Sequence, residues 1–146
     1  MIGLDTNVVI RYLVQDDKKQ SAAATCFIEN ALTTDAPGYI NHISLCEIVW
    51  VLQRCYGVTR QQLREIIEGL LTTKQFNVEN VEVTWKALRA FDASNVDFCD
   101  ALIGQVNIHS GCEQTVTSDK KAASLPGFDL LGYFLERIFT RPAIRR

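Results

Sequence analysis

Carboxylates that follow short apolar runs are the side chains of this sequence best suited to chemistry. Asp5 comes directly after Ile2–Leu4, and Asp119 follows the run Gln114–Thr117 after one serine. If both runs are strands of a parallel sheet, the residues just past their carboxyl ends line the ligand crevice. Carboxylate oxygens bind hard divalent cations such as Mg²⁺, and a bound cation can assist the hydrolysis of a phosphodiester bond. Metal-assisted hydrolysis is therefore the chemistry to consider.

Helix capping is the alternative explanation for two candidate carboxylates. Asp5 stands just before an apolar helical pattern, and this position taken alone favours a helix cap. Ser44-x-x-Glu47 matches a capping box at the start of the helix that follows the second predicted strand. Glu47 could also be delivered from that strand to the crevice that holds Asp5. The spacing leaves these two interpretations of Glu47 even.

A further pair of carboxylates lies at the start of a later helix. Asp97 and Asp100 are three residues apart and share one helix face. One carboxylate there suits the helix dipole, whereas two repel each other unless a cation or hydrogen bonds hold them. We favour an N-cap role for Asp97. Asp100 lies beyond the cap position, so capping explains it less well.

These carboxylates need a framework of alternating strands and helices. Helical patterns such as Gln20–Leu32 and Ile43–Tyr56 separate short apolar runs along the whole chain. The predicted strands are Ile2–Leu4, Tyr39–Ile40, Gln75–Val78, Gln114–Thr117 and Phe128–Leu131. This alternation predicts an α/β fold with three layers, α/β/α, around a central parallel sheet of four to five short strands.

Length and composition exclude several classes of protein. A chain of 146 residues with 47% hydrophobic and 22% charged residues fits one ordinary globular domain. No stretch could span a bilayer and no cleavable signal is present, so we expect a cytoplasmic protein without membrane contact. The five cysteines are odd in number and lack C-x-x-C spacing. They are predicted to be small buried side chains in a reducing cytosol, and a zinc site is not supported.

Charge is distributed unevenly between the body of the chain and its C-terminal segment. Four arginines and one glutamate give residues 132–146 a charge of +3, and the net charge of −2 leaves −5 for residues 1–131. Such a body is not a plain basic nucleic-acid binder, although a bound divalent cation could neutralise its acid excess. A docked amphipathic helix, a partner-binding arm and an appended segment all fit the apolar and basic composition of 132–146.

Four motifs together resemble the PIN domain family. They are Leu4-Asp5-Thr6-Asn7, Glu47 within Ile43–Leu52, Asp97-Phe-Cys-Asp100-Ala-Leu-Ile103 and Thr117-Ser-Asp119, in that family's order and spacing. The sequence is similar in particular to the small ribonuclease toxins of the VapC type. The resemblance spans residues 1 to about 131, a PIN-like nuclease domain, and leaves the role of the 132–146 tail unknown.

The resemblance implies both a site and an activity. Its catalytic acids would be Asp5, Glu47, Asp100 and Asp119, and its metal ligands would be these four and Asp97. Side chains that could orient the ligands or contact phosphate are Thr6, Asn7, Thr117 and Ser118. The implied activity is Mg²⁺- or Mn²⁺-dependent cleavage of RNA by the toxin of a type II toxin–antitoxin pair.

The implied partners are an RNA substrate, a cognate antitoxin protein and a second copy of the chain. In a homodimer, basic side chains from two subunits would lie beside two acidic pockets. Candidates are Arg11, Lys18, Lys19, Arg54, Lys120 and Lys121, any of which could instead be plain solvated surface.

Two other classes of function stay open. A catalytically silent PIN-like module would bind RNA or a protein without cutting it. A phosphotransfer domain would also have an acidic pocket, but a haloacid-type phosphatase needs Asp where this chain has Asn7, and Asp5 is too near the start for a receiver domain. No Walker A, HExxH or Gly-x-Ser-x-Gly motif supports an ATPase, a zinc protease or a serine hydrolase.

Overall fold

Short strands alternate with helices along the chain. The computed structural model describes residues 1–140, and the chain divides into two units, Met1–Trp85 and Lys86–Arg146. The strands are β1 (Ile2–Gly3), β2 (Gly38–Ile40), β3 (Phe76–Val78), β4 (Thr115–Thr117) and β5 (Phe128–Leu130). The helices are α1 (Thr6–Val14), α2 (Lys18–Cys26), α3 (His42–Tyr56), α4 (Arg60–Thr72), α5 (Val81–Asp92), α6 (Phe98–His109) and α7 (Leu131–Thr140). A π-helical turn, Phe27–Ala31, continues α2, and a 3₁₀ turn, Ala122–Ser124, follows β4.

The first unit is built on a parallel sheet with the strand order β1-β2-β3. Gly38 of β2 lies opposite Ile2 of β1 and Phe76 of β3. Parallel strands end at the same edge of a sheet, and a polar residue follows each strand there. Asp5 comes soon after β1, Asn41 directly after β2, and Glu79 directly after β3.

The helices of the first unit begin where the sequence offers caps. Thr59 and Gln62 form a capping box at the start of α4, in which each side chain accepts a bond from the other's backbone. The side chain of Asp17 caps α2 by accepting from the backbone nitrogen of Gln20. The buried face of α3 consists of Leu45, Ile48, Val49 and Leu52, each no more than 2% exposed. These contacts fix the rotation of α3 and so decide which of its side chains face outward.

The second unit contains α6, the parallel pair β4-β5 and α7. Its core includes Phe91, Val96 and Phe98, each no more than 1% exposed. The rings of Phe91 and Phe98 meet edge to face with their centroids 6.0 Å apart. No residue of α7 is buried, and Arg137 of this helix forms a 2.7 Å ion pair with Asp129 of β5.

The predicted α/β fold with short parallel strands is confirmed. The five strands lie close to their predicted positions, and they are distributed over one sheet of three strands and one of two. The segment predicted as a tail forms α7 through residue 140, whereas its remaining residues, 141–146, lie outside the described part of the chain. Within residues 1–140, no helix is both long and apolar enough to cross a membrane.

The prediction that the cysteines are buried is wrong. Cys26, Cys55 and Cys112 are exposed, and Cys46 and Cys99 are partly exposed. Apolar neighbours at helical spacing identify an amphipathic helix, but they do not place an adjacent cysteine on its buried face.

Candidate active site

The junction between β1 and α1 carries the first candidate acid. The backbone nitrogen of Leu4 donates to the carbonyl oxygen of Tyr39 at 2.8 Å, which extends the parallel pairing up to Asp5. Asp5 has the extended backbone of an N-cap residue, with φ −77° and ψ 154°, but its side chain accepts no capping hydrogen bond from α1. The carboxylate is exposed. Asp5 therefore occupies the cap position of α1 without acting as its side-chain cap.

Glu47 is held by a contact between two distant parts of the sequence. The hydroxyl of Thr6 donates to Oε2 of Glu47 at 2.6 Å. Thr6 is only 5% exposed, whereas the Glu47 residue as a whole is exposed. Because Thr6 immediately follows Asp5, this hydrogen bond brings the Glu47 carboxylate to the β1–α1 junction.

The capping-box interpretation of Glu47 is wrong. Helix α3 begins at His42, two residues before Ser44, and its N-cap is Asn41. The Asn41 side chain accepts from the backbone nitrogen of Ser44 at 2.8 Å. Glu47 thus lies beyond the first turn, where a side chain no longer reaches the cap nitrogen. An asparagine directly after a predicted strand was the available signal for this cap.

In the second unit, Asp97 and Asp100 lie at the start of α6. Asp97 is the N-cap residue by backbone geometry, but its side chain makes no capping hydrogen bond, so the favoured N-cap role for its carboxylate is not observed. Asp100 lies in the first turn and is half-buried. Burial raises the pKa of the Asp100 carboxyl above its ordinary value, and the charges of Asp97 and then Asp119 raise this pKa further. Lys121 acts in the opposite direction.

Asp119 shapes the turn after β4. Its Oδ1 atom accepts from the backbone nitrogens of Lys121 at 2.8 Å and Ala122 at 3.4 Å. Its own backbone nitrogen donates to the hydroxyl of Thr117 at 3.1 Å. These bonds place an exposed carboxylate close enough to Asp100 for its charge to act there. Asp119 is therefore both a local turn former and a member of an acidic group with Asp97 and Asp100.

The remaining predicted residues are less constrained. Asn7 and Ser118 are both exposed. Asn7 lines a groove of about 320 Å³ between α1 and α2, together with Val8, Arg11 and Phe27. The Thr6 hydroxyl donates to the Glu47 carboxylate, and the Thr117 hydroxyl accepts from the backbone nitrogen of Asp119. The role of orienting ligands or contacting phosphate stays a prediction for Thr6, Asn7, Thr117 and Ser118.

Sequence reasoning missed one carboxylate at the sheet edge of the first unit. Oε2 of Glu79 accepts from the backbone nitrogen of His42 at 2.6 Å, and the His42 ring lies 3.0 Å from the Thr84 hydroxyl. Glu79 comes directly after a predicted strand, as Asp5 does, so the same signal could have identified it. Its carboxylate supports the first turn of α3, which carries Glu47.

Each unit carries oxygen donors, Asp5 and Glu47 in the first and Asp97, Asp100 and Asp119 in the second, and their chemistry suits Mg²⁺ or Mn²⁺. Within residues 1–140, no three His, Cys, Asp or Glu side chains are grouped closely enough to hold a metal ion by themselves. Mg²⁺ commonly binds to one or two carboxylates and keeps several waters, so it does not require such a group. The donor set fits a hydrated hard cation better than a metal enclosed by protein ligands.

Comparison with known families decides what kind of domain this is. The family model of the PIN domain matches residues 2–127. The chain belongs to the PIN domain family. The predicted family is thus confirmed, and PIN domains are generally nucleases.

One solved structure similar to this PIN domain is a toxin–antitoxin complex from Klebsiella pneumoniae, with 17% sequence identity and a TM-score of 0.34. The alignment covers 88% of this chain and 95% of that one. No curated protein matches the sequence.

Proposed function

We propose that this PIN domain is a metal-dependent endoribonuclease and the toxin of a type II toxin–antitoxin pair, acting in the cytoplasm. Its catalytic acids would be Asp5, Glu47, Asp100 and Asp119, with Asp97 as an additional metal ligand. The domain itself would comprise residues 1–131. Family membership supports nuclease activity in general, and the acidic motifs support the choice of residues.

The hydrogen bond between Thr6 and Glu47 is the observation that carries this proposal. It joins an acid on α3 to the residue after Asp5, although 41 residues separate the bonded pair. Glu47 does not cap its own helix, so capping does not account for this carboxylate. Two acids at one strand–helix junction are what a cation-binding crevice requires.

Each side chain has a distinct part in the proposed reaction. The Thr6 hydroxyl donates to one carboxylate oxygen of Glu47, so the other oxygen could bind a cation. The Thr117 hydroxyl positions Asp119 by accepting from its backbone nitrogen. The charges of Asp97 and Asp119 disfavour the ionised form of Asp100 unless a cation offsets them. A bound Mg²⁺ or Mn²⁺ ion would offset these charges, lower the pKa of a water and neutralise the phosphoryl oxygens.

Hydrolysis by water determines the chemical groups at the ends of the RNA products. The nucleophile would be water and not the ribose 2′-hydroxyl, so the products would carry 5′-phosphate and 3′-hydroxyl ends. Side chains that could approach the RNA backbone include the exposed Lys18, Lys19, Arg54, Lys120 and Lys121. Arg11 is a weaker candidate, because it forms a 2.9 Å ion pair with Asp16.

The proposal is tested by comparing the wild-type protein with Asp5→Asn in RNA cleavage. Asn keeps the shape and capping capacity of Asp but loses the charge that holds a cation. We expect wild-type cleavage with Mg²⁺ or Mn²⁺, none with a chelator, and none by Asp5→Asn at an unchanged melting temperature. A folded Asp5→Asn variant with full activity would contradict the proposed site. RNA binding without any cleavage by the wild-type protein would instead favour a silent binding module.

The toxin assignment and the proposed homodimer have tests of their own. Expression of the wild-type chain should arrest bacterial growth, and expression of Asp100→Asn should not. Solution scattering should give the mass of a dimer for the cleaving protein. Growth unaffected by an active nuclease would contradict the toxin assignment, and a strictly monomeric active enzyme would contradict the dimer.

A further inference from the structure

Helix α3 has an exposed stripe that its packing does not explain. Ile43, Glu47, Trp50 and Arg54 are spaced four, three and four residues apart, so they lie along one helix face. The opposite face supplies the buried side chains of α3. Ile43 is 76% exposed and Trp50 is 57% exposed. Tryptophan is on average a highly buried residue, so an exposed indole on a helix with a complete buried face needs another explanation.

Trp50 is paired with a cation and lies next to a candidate catalytic acid. The Arg54 guanidinium lies over the indole ring, 5.9 Å from its centroid. Trp50 is one helical turn from Glu47, about 4.5 Å along the helix axis. The stripe therefore combines an aromatic face, a positive charge and the carboxylate that Thr6 orients.

We propose that Trp50 and Arg54 form a binding site for an unpaired nucleotide of the RNA substrate, next to the cleaved phosphate. This inference rests on the proposed nuclease function. The indole would stack on a base, and Arg54 would extend that stack and attract the adjacent phosphate. Base faces are accessible in single-stranded RNA and covered in a duplex. The site thus selects single-stranded RNA.

A protein partner is the competing occupant, because Trp and Arg are also enriched in protein interfaces. RNA is favoured because the stripe includes Glu47. Side chains one helical turn from a carboxylate proposed to act on RNA are within reach of the nucleotide beside the cleaved phosphate. Arg54 also complements the charge of a phosphate, on a body of the chain that is otherwise acidic.

The test uses the fluorescence of Trp50 itself. The chain has only two tryptophans, so Trp85→Phe leaves Trp50 as the sole indole. A short unpaired RNA oligonucleotide is titrated into this protein in a chelator, which prevents metal-dependent cleavage, and the same sequence is then titrated as a duplex. We expect the unpaired RNA to quench Trp50 and to bind more tightly than the duplex. Equal quenching and equal affinity for the duplex would overturn the proposal.

Substitutions then measure the contribution of the ring. Loss of one stacked base predicts that Trp50→Ala weakens binding of unpaired RNA about 5- to 150-fold, while Trp50→Phe keeps most of the affinity. Arg54→Gln should weaken binding and reduce its salt dependence. The matched control is Phe134→Ala, because Phe134 also has an arginine, Arg137, 6.0 Å from its ring centroid but lies on α7. Phe134→Ala should leave RNA affinity unchanged.

Three results separate this inference from the proposed function. If folded Trp50→Ala binds unpaired RNA as tightly as wild type, the nucleotide site is wrong even if cleavage is normal. If Trp50→Ala instead changes the mass in sedimentation with RNA affinity unchanged, the stripe is a protein interface and the inference is also wrong. If the wild-type protein never cleaves RNA but Trp50 is quenched by unpaired RNA as expected, the binding site stands and the nuclease proposal fails.

Discussion

The Thr6 hydroxyl donates a 2.6 Å hydrogen bond to Oε2 of Glu47, linking the first turn of α1 to the second turn of α3. The donor is almost completely buried, and the acceptor belongs to an exposed residue. A buried hydroxyl that bonds to a partly hydrated carboxylate restricts the rotamer of that carboxylate without removing its charge. This relationship makes Thr6 a positioning residue for Glu47.

Removal of the Thr6 hydroxyl tests this role. Thr6→Val keeps the shape of the side chain, so we expect a loss of only about 1 kcal/mol in the free energy of unfolding. Partners that orient metal ligands typically affect metal affinity or activity by about 10- to 100-fold, and a reduction of that size is expected in metal-dependent cleavage. Thr6→Ser retains the donor and should retain most activity. Cleavage by folded Thr6→Val at the wild-type rate would show that the hydrogen bond has no functional role.

Substitutions at the start of α3 separate capping from catalysis. Glu47→Gln should abolish metal-dependent cleavage and change the free energy of unfolding by no more than about 0.5 kcal/mol, because Glu47 is not a cap. Asn41→Ala removes the actual cap and should cost about 1 kcal/mol of stability. Thermal melting and cleavage assays on both variants check this. An active Glu47→Gln enzyme would remove Glu47 from the site.

The sequence was sufficient to predict the five strands and their alternation with helices, but it left a helix in 132–146 as one of three alternatives. The first three apolar runs are each followed by an amphipathic helical pattern, and local propensities agree with the tertiary structure in cases such as Thr59 and Gln62. The role of Glu47 could not be decided in this way. Its two interpretations differ by a contact with Thr6, and side-chain partners 41 residues apart are not determined by local spacing.

Other differences between the sequence-based predictions and the structure also have specific causes. The N-cap of α3 is Asn41 and not Ser44, because the Asn41 side chain accepts the capping bond three residues earlier than the capping-box pattern required. The backbone of Asp97 has N-cap geometry, but its side chain makes no capping hydrogen bond. The sequence pattern cannot specify how this side chain is oriented. Helical spacing predicted that Asp97 and Asp100 share one face, but it gave no distance between α6 and the turn after β4. Only the family resemblance therefore placed Asp119 with this pair.

Neutralising Asp100 should stabilise the metal-free protein at neutral pH. The pKa of Asp100 is raised in the folded state, so its ionised form costs folding free energy at a pH above that pKa. Asp100→Asn should therefore melt higher than wild type in a chelator at pH 7. This difference should shrink as the pH falls through the raised pKa and disappear below the ordinary value of 3.8, where Asp100 is protonated in both states.

Metal should change the melting temperatures of the same two proteins in the opposite sense. A cation that binds only the folded state raises its stability, so Mg²⁺ or Mn²⁺ should raise the melting temperature of wild type more than that of Asp100→Asn. Asp97→Asn should have smaller effects on metal affinity and cleavage than Asp100→Asn. An Asp100→Asn variant that melts lower than wild type in a chelator at pH 7 would contradict the inferred charge repulsion.

Two substitutions at Asp119 distinguish its structural role from its charge. Asn retains the Oδ1 atom that accepts from the backbone nitrogens of Lys121 and Ala122, whereas Ala removes it. We expect Asp119→Asn to keep the wild-type melting temperature but lose cleavage activity, and Asp119→Ala to lose activity and about 1 kcal/mol of stability. If Asp119→Asn cleaves normally while Asp119→Ala is destabilised, Asp119 is only a turn former.

Identification of the RNA product ends, with and without metal, tests the central claim most directly. Purified wild-type protein is incubated with an unpaired RNA oligonucleotide in Mg²⁺ or Mn²⁺ and, in parallel, in excess chelator, and the products are identified by mass spectrometry. Metal-dependent hydrolysis by water predicts fragments with 5′-phosphate and 3′-hydroxyl ends in metal and intact RNA in chelator. Fragments with cyclic 2′,3′-phosphate ends, or equal cleavage in chelator, would contradict it.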